Sequence, residues 1–157
     1  MKTPFFAALA ILPLAALAPS PAADDAKPKA GADGWRTLFD GKNTDGWEHV
    51  GPGKMVIEGG VMRTEGGMGL LWYTREKFGD CTIRVVYKTA TDHSNSGVFI
   101  RIADKPKDAW YGVHHGFEVQ IDDAGDEFHR TGAVYSMAKA TAKPGKVGRA
   151  TASYLTC

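Results

Sequence analysis

A chain of 157 residues, part of it spent on export, has room for one domain and no more. Its 19 Lys and Arg against 18 Asp and Glu leave a formal net charge of +1, and no basic stripe interrupts that balance. Neither feature fits a polyanion partner, so nucleic acid is excluded as a ligand class.

The N-terminus carries Lys2, then an apolar run from Phe5 to Ala18, then Pro19, Ser20 and small residues. This pattern reads as a secretory signal peptide over residues 1–22, cleaved after Ala16-Leu17-Ala18 or a few positions later. The run falls short of the ~20 residues that a span requires and is interrupted by Pro13, so no stable membrane span is expected after cleavage. No Cys follows the run at the position where a lipoprotein would be anchored. Residues 23–33 read as a flexible lead-in, rich in Pro, Ala, Lys and Asp.

From Trp35 onward, short apolar segments alternate with Gly, Asp and Asn, and none keeps a helical period for three turns, so an all-β domain is expected. Trp35 to Phe39 reads as a first strand, followed by a turn-rich stretch to Trp47. Met55 to Ile57 and Val61 to Thr64 flank Glu58-Gly59-Gly60, a hairpin signal because glycine supplies the positive φ of tight turns. Leu70 to Tyr73 and Ile83 to Lys88 are further strands. Cys81, just before the latter, reads as a small, buried side chain rather than a nucleophile; with Cys157 it makes too few cysteines for a disulfide framework. Asn95 to Arg101, Gly116 to Asp122 and Thr131 to Ser136 complete the strand set. The spacings fit a sandwich or jelly roll over residues 34–144. Beyond Pro144 little alternation remains, and residues 145–157 read as an aberrant or truncated tail without a closing strand, which would leave sheet edges unpaired.

Two of these strands carry the chemistry. Strand alternation puts Val98 and Ile100 on one face and Asn95, Gly97, Phe99 and Arg101 on the other; Val119 and Ile121 likewise oppose Glu118, Gln120 and Asp122. With the apolar sides facing a shared core, the opposite faces display two amides, a guanidinium and two carboxylates, which suits a hydroxyl-rich ligand such as a sugar. The plainer alternative is a cross-strand Arg101–Glu118 salt bridge on a solvated face. Trp110 and Tyr111, in a loop before the second strand, could stack on a sugar ring, while Trp35, Trp47 and Trp72 are expected in the core. His93 and the His114-His115 pair border the two strands. On an extended chain only one of that pair would aim inward, and no histidine spacing matches a zinc motif. Asp122 to Glu127 has the composition of a calcium loop without its ligand spacing; an acidic turn is expected, with the cofactor unknown and a divalent metal left open.

Taken in series, Gly34-Trp35-Arg36-Thr37-Leu38-Phe39-Asp40-Gly41-Lys42-Asn43, Trp47, Phe78-Gly79-Asp80, Asn95-Ser96-Gly97-Val98-Phe99-Ile100-Arg101, Glu118-Val119-Gln120-Ile121-Asp122 and Thr131-Gly132-Ala133-Val134-Tyr135 resemble the 3-keto-disaccharide hydrolase domain. The resemblance covers about Trp35 to Pro144. It implies a concanavalin-like or laminin-G-like jelly roll in a secreted or periplasmic bacterial protein, acting on glycosides oxidised to a ketone at carbon 3. It also implies further strands after Lys143-Pro144-Gly145-Lys146, so a frameshift or truncation in the gene is expected.

A ketone at carbon 3 acidifies the hydrogen on carbon 2, because the carbanion delocalises as an enolate. Loss of that proton lets the carbon 1 substituent leave by elimination, after which water adds back. This requires a base, a stabiliser for the enolate oxygen and groups that grip hydroxyls. Glu118 or Asp122 is the candidate base and Arg101 the candidate oxyanion donor. Asn95, Gln120, His114, Trp110 and Tyr135 make up the substrate-binding set. A retaining glycosidase is disfavoured, since Glu118 and Asp122 stand roughly 13 Å apart along a strand at about 3.3 Å per residue, and Gln120 between them cannot be a nucleophile. A non-catalytic carbohydrate-binding jelly roll and an inactive gene product are the alternatives.

Overall fold

The computed structural model describes residues 30–143 and 146–156. The expected signal peptide, most of the expected lead-in, Pro144, Gly145 and Cys157, and with it any Cys81–Cys157 pairing, lie outside the described residues. The chain is all-β. Its elements in order are β1 (Trp47–Val50), β2 (Lys54–Glu58), β3 (Val61–Glu65), β4 (Leu70–Tyr73), β5 (Thr82–Tyr87), β6 (Asn95–Ile100), the short α1 (Tyr111–His115), β7 (Phe117–Asp122) and β8 (Thr151–Thr156). They pair antiparallel as β1 with β4, β2 with β3, β5 with β8 and β6 with β7.

The β2–β3 hairpin turns where the sequence places it. Gly59 and Gly60 take φ of 57° and 80°, the pair of positive values of a type I′ turn, whose twist matches that of the strands it joins. In β1–β4, Trp47 faces Tyr73 with ring centroids 5.2 Å apart and edge to face. The Trp47 indole Nε1 also donates to Leu38 O at 2.9 Å, tying the N-terminal segment to this pair. In β5, Ile83, Val85 and Tyr87 point inward while Thr82, Arg84 and Val86 face out. Among the described residues the buried apolar side chains are Leu70, Ala109, Tyr111, Ile121, Ala133 and Leu155, a thin core for this length.

Five expectations are corrected. Trp35 to Phe39 is not a strand: Gly31 N donates to Trp35 O, Trp35 N is taken by Asp33 Oδ1, and Leu38 O is held by Trp47, so the backbone groups are spent on turns and a side chain. Trp35 itself is 42% exposed rather than in the core, and Trp47 and Trp72 are only partly buried. Thr131 to Ser136 is a looped ribbon: Gly132 at φ 89° and Ser136 at φ 57° break the extended chain, leaving single bridges from Val134 to Val119 and Ala138. The tail does carry a strand. In β8, Thr151, Ser153 and Leu155 face inward, so the alternation is one of position rather than of hydrophobicity, and Leu155 packs opposite Ile83 at 6% exposure. Finally, His114 and His115 sit on α1, not on extended chain, and Tyr111 is buried in the same helix.

Because Leu155 is the side chain by which β8 reaches the core, Leu155→Ala is expected to cost about 2–4 kcal/mol in urea unfolding. An unchanged midpoint would mean that β8 does not dock on β5.

Candidate functional site

The register of β6 against β7 places Asn95 opposite Asp122, Gly97 opposite Gln120 and Phe99 opposite Glu118. Directly opposed residues share a face, so Asn95, Phe99, Glu118, Gln120 and Asp122 form one surface, as strand alternation indicated. The looped ribbon 131–135 then binds the free edge of β7. Thr131 N donates to Asp122 O, Gly132 N to Gln120 O and Tyr135 N to Glu118 O, at 2.8, 3.0 and 2.9 Å, while Ala133 O accepts from Gln120 N at 3.0 Å. This ladder brings Tyr135 beside Glu118.

Glu118 is half-buried and its side chain lies across Gly97: a Cβ on residue 97 would stand 2.6 Å from Glu118 Cγ and 2.7 Å from Cδ. The glycine is needed here for space, since its backbone is ordinary strand. Two orientations of the Gln120 amide differ in partners. One lets Nε2 donate to Asn95 Oδ1 at a long 3.4 Å; the other lets it donate to Glu118 Oε1 at 3.0 Å and Ser96 O at 3.2 Å. The second makes two shorter bonds and is the one we adopt. Burial pushes the Glu118 pKa above the usual glutamate value, while the Gln120 N–H supports the ionised form. Glu118 is therefore a proton acceptor of raised basicity on an accessible face.

The other predicted site residues fare differently. Asp122 is committed to the turn: Oδ1 accepts from Ala124 N at 2.9 Å and Gly125 N at 3.2 Å, and Oδ2 accepts from Asn95 Nδ2 at 3.4 Å. Asp123 accepts from Thr131 Oγ1 at 2.7 Å, so the acidic segment spends carboxylates on its own loop. Among the described residues no group of His, Cys, Asp and Glu is arranged to hold a metal. Arg101 leaves the shared face: β6 ends at Ile100, Arg101 has φ 61°, and its guanidinium reaches Asp80 at 3.2 Å rather than Glu118. Gln120 is 2% exposed and so touches Glu118 instead of solvent. Trp110, 56% exposed, precedes α1 without a side-chain bond to it; His114 is exposed on that helix, its ring 6.5 Å from that of His115.

A cleft of about 50 Å³ is bounded by Val113, Gly116, Phe117, Glu118, Tyr135 and Met137. Ligand pockets usually enclose ~300–1,000 Å³, so a sugar would lie on this face rather than inside it. Val113, Phe117 and Met137 were not singled out in the sequence, where isolated apolar residues carry no site signal. A roomier hollow of about 250 Å³, lined by Thr37, Leu38, Asp40, Asn43, Asp45 and Arg75, belongs to the N-terminal segment and contains no residue of the strand face.

Gly97→Ala provides a direct test of this geometry. The added methyl meets a side chain that can rotate away, so the fold should survive, but the Glu118 carboxylate moves out to water and its pKa falls back toward the ordinary value. Carbon-detected NMR titration of Glu118 reads this; an unchanged pKa would show that Glu118 does not lie over Gly97.

The family model of the 3-keto-alpha-glucoside-1,2-lyase-like domain matches residues 34–152, from the N-terminal turns into β8, and so contains the whole strand face, the α1 cleft and the looped ribbon. Among curated proteins no match to the chain is found. With that match spanning most of its length and every element of the site, the chain belongs to the 3-keto-alpha-glucoside-1,2-lyase-like domain family.

Proposed function

We propose that this domain cleaves glycosides carrying a ketone at carbon 3, with Glu118 as the base that removes the proton from carbon 2. The observation that carries this reading is the half-buried Glu118 carboxylate, its basicity raised by burial, held over Gly97 by the Gln120 amide and opening on the cleft beside Tyr135. The family supplies the substrate class. Proton transfer to Glu118 leaves an enolate; the carbon 1 to oxygen bond then breaks and the aglycone oxygen takes a proton from water, after which the hydroxide adds to carbon 1 of the unsaturated sugar and Glu118 returns its proton to carbon 2. Asp122 is not the base in this account, because its oxygens already accept from Ala124, Gly125 and Asn95. Gln120 positions Glu118. Asn95 and Tyr135 offer hydroxyl partners, and the exposed Trp110 offers a stacking surface one short helix away from the cleft. The Lys2 and Phe5 to Ala18 pattern supports export to the periplasm or beyond.

The openness of the cleft favours a second reading, a carbohydrate-binding domain that holds sugars without cleaving them. Glu118→Gln separates the two. In an enzyme the substitution keeps sugar binding and lowers kcat/KM by about 10²–10⁴-fold, the usual worth of a general base. The parent's rate should rise with pH as Glu118 ionises, at a higher pH than an ordinary glutamate would give, since only the carboxylate accepts the proton. Binding by the parent with no turnover at any pH would establish the binding module, and full turnover in Glu118→Gln would remove Glu118 from the role of base.

A further inference from the structure

Away from the Glu118 carboxylate, the loop after β7 and the end of the looped ribbon align three polar side chains in a row. His129 Nδ1 lies 2.8 Å from Asp126 Oδ1, and His129 Nε2 lies 3.0 Å from Ser136 Oγ. Asp126 Oδ1 also accepts from Phe128 N at 2.9 Å, which fixes the carboxylate's orientation. That N–H, together with the His129 ring, holds the Asp126 carboxyl below its usual range, so it remains ionised. The imidazole is further placed by Tyr135, whose ring stands edge-on at 4.8 Å. Ser136 has φ 57°; Arg101 is the other non-glycine residue with positive φ among the described residues. A serine in this region costs about 1–2 kcal/mol of backbone energy, and here the bonds from Ser136 N to Phe128 O and from Ala140 N to Glu127 O hold it there.

We propose that Asp126, His129 and Ser136 form a nucleophilic relay that makes Ser136 acylable by carboxylic esters with good leaving groups. With Nδ1–H donated to Asp126, the neutral imidazole turns the lone pair of Nε2 toward the Ser136 hydroxyl. The Ser136 oxygen attacks the ester carbonyl carbon while its proton passes to Nε2. The ester carbon–oxygen bond then breaks, and His129 returns the proton to the departing alcohol. Water, deprotonated through the same nitrogen, hydrolyses the acyl-serine to the free acid. Ser136 is exposed and the His129 side chain is 39% exposed, so a small ester reaches both.

The same loop sets the limit of this activity. The amides of residues 134–138 are all engaged: Val134 N with Ala138 O, Tyr135 N with Glu118 O, Ser136 N with Phe128 O, and both Met137 N and Ala138 N with Val134 O. None is left to receive an oxyanion, a contribution worth about 10²–10³ in rate where one is present. The site therefore takes esters whose leaving group is already good, and it acylates faster than it turns over.

The test treats the full chain with p-nitrophenyl acetate, following nitrophenolate release and locating the acetyl group by peptide mass spectrometry. The expected result is a burst of nitrophenolate with the acetyl group on Ser136. That labelling should fall about 10²-fold in His129→Gln and fall likewise in Asp126→Asn, which removes the tautomer control with little change of shape. Acetylation confined to lysines in the parent would overturn the proposal, as would Ser136 labelling at the parental rate in folded His129→Gln or Asp126→Asn. The readout needs no 3-keto sugar, so it stands or falls separately from the cleavage reaction.

Discussion

The pairing of β6 with β7 is the constraint on which the site depends. Side chains on a strand alternate with a period of two, so a slip of one residue would send Glu118 to the opposite face and bring Val119 forward. The register is held at one end by Asn95 against Asp122 and along the outer edge by the amides of Thr131, Gly132 and Tyr135. Given that register, the remaining geometry follows. Glu118 leans across the neighbouring strand, only a residue without a side chain fits beneath it, and Gly97 is that residue.

Holding the carboxylate there has a thermodynamic consequence. Since the folded pKa of Glu118 is raised above the unfolded value, protonation favours the folded state. The destabilisation by the ionised group is absent below the unfolded pKa and develops as pH rises through the folded one. Where Glu118 is ionised and able to accept a proton, the fold therefore carries a cost that a neutral side chain would not impose. The carboxylates of Asp122, Asp123 and Asp126 differ in kind, because each accepts from a donor in or beside its own loop.

Much of this arrangement was legible in the sequence. The Gly59-Gly60 turn, the strands around it, the Leu70 to Tyr73 strand and the shared face of Asn95, Glu118, Gln120 and Asp122 all follow from turn chemistry and a period of two. The misreadings occur where tertiary hydrogen bonds or backbone dihedrals override local pattern. Arg101 continues the alternation on paper, but its positive φ turns the guanidinium toward Asp80. Trp35 to Phe39 and Thr131 to Ser136 have strand composition, yet their backbone groups are taken by turns, by the Trp47 indole and by the edge of β7. Strand β8 was hidden because its inward residues include Thr151 and Ser153, which carry no hydrophobic signal. The approach of His129 to Ser136 depends on a loop closure for which no spacing rule exists.

The proposed cleavage runs through loss of the carbon 2 proton to Glu118. Following a 3-keto glycoside by NMR in deuterium oxide tests it most directly. With Glu118 as the base, the carbon 2 hydrogen is lost to solvent in step with release of the aglycone, faster than in an enzyme-free control, and both events disappear together in Glu118→Gln. Aglycone release with the original hydrogen still on carbon 2 would contradict it, pointing instead to direct displacement at carbon 1.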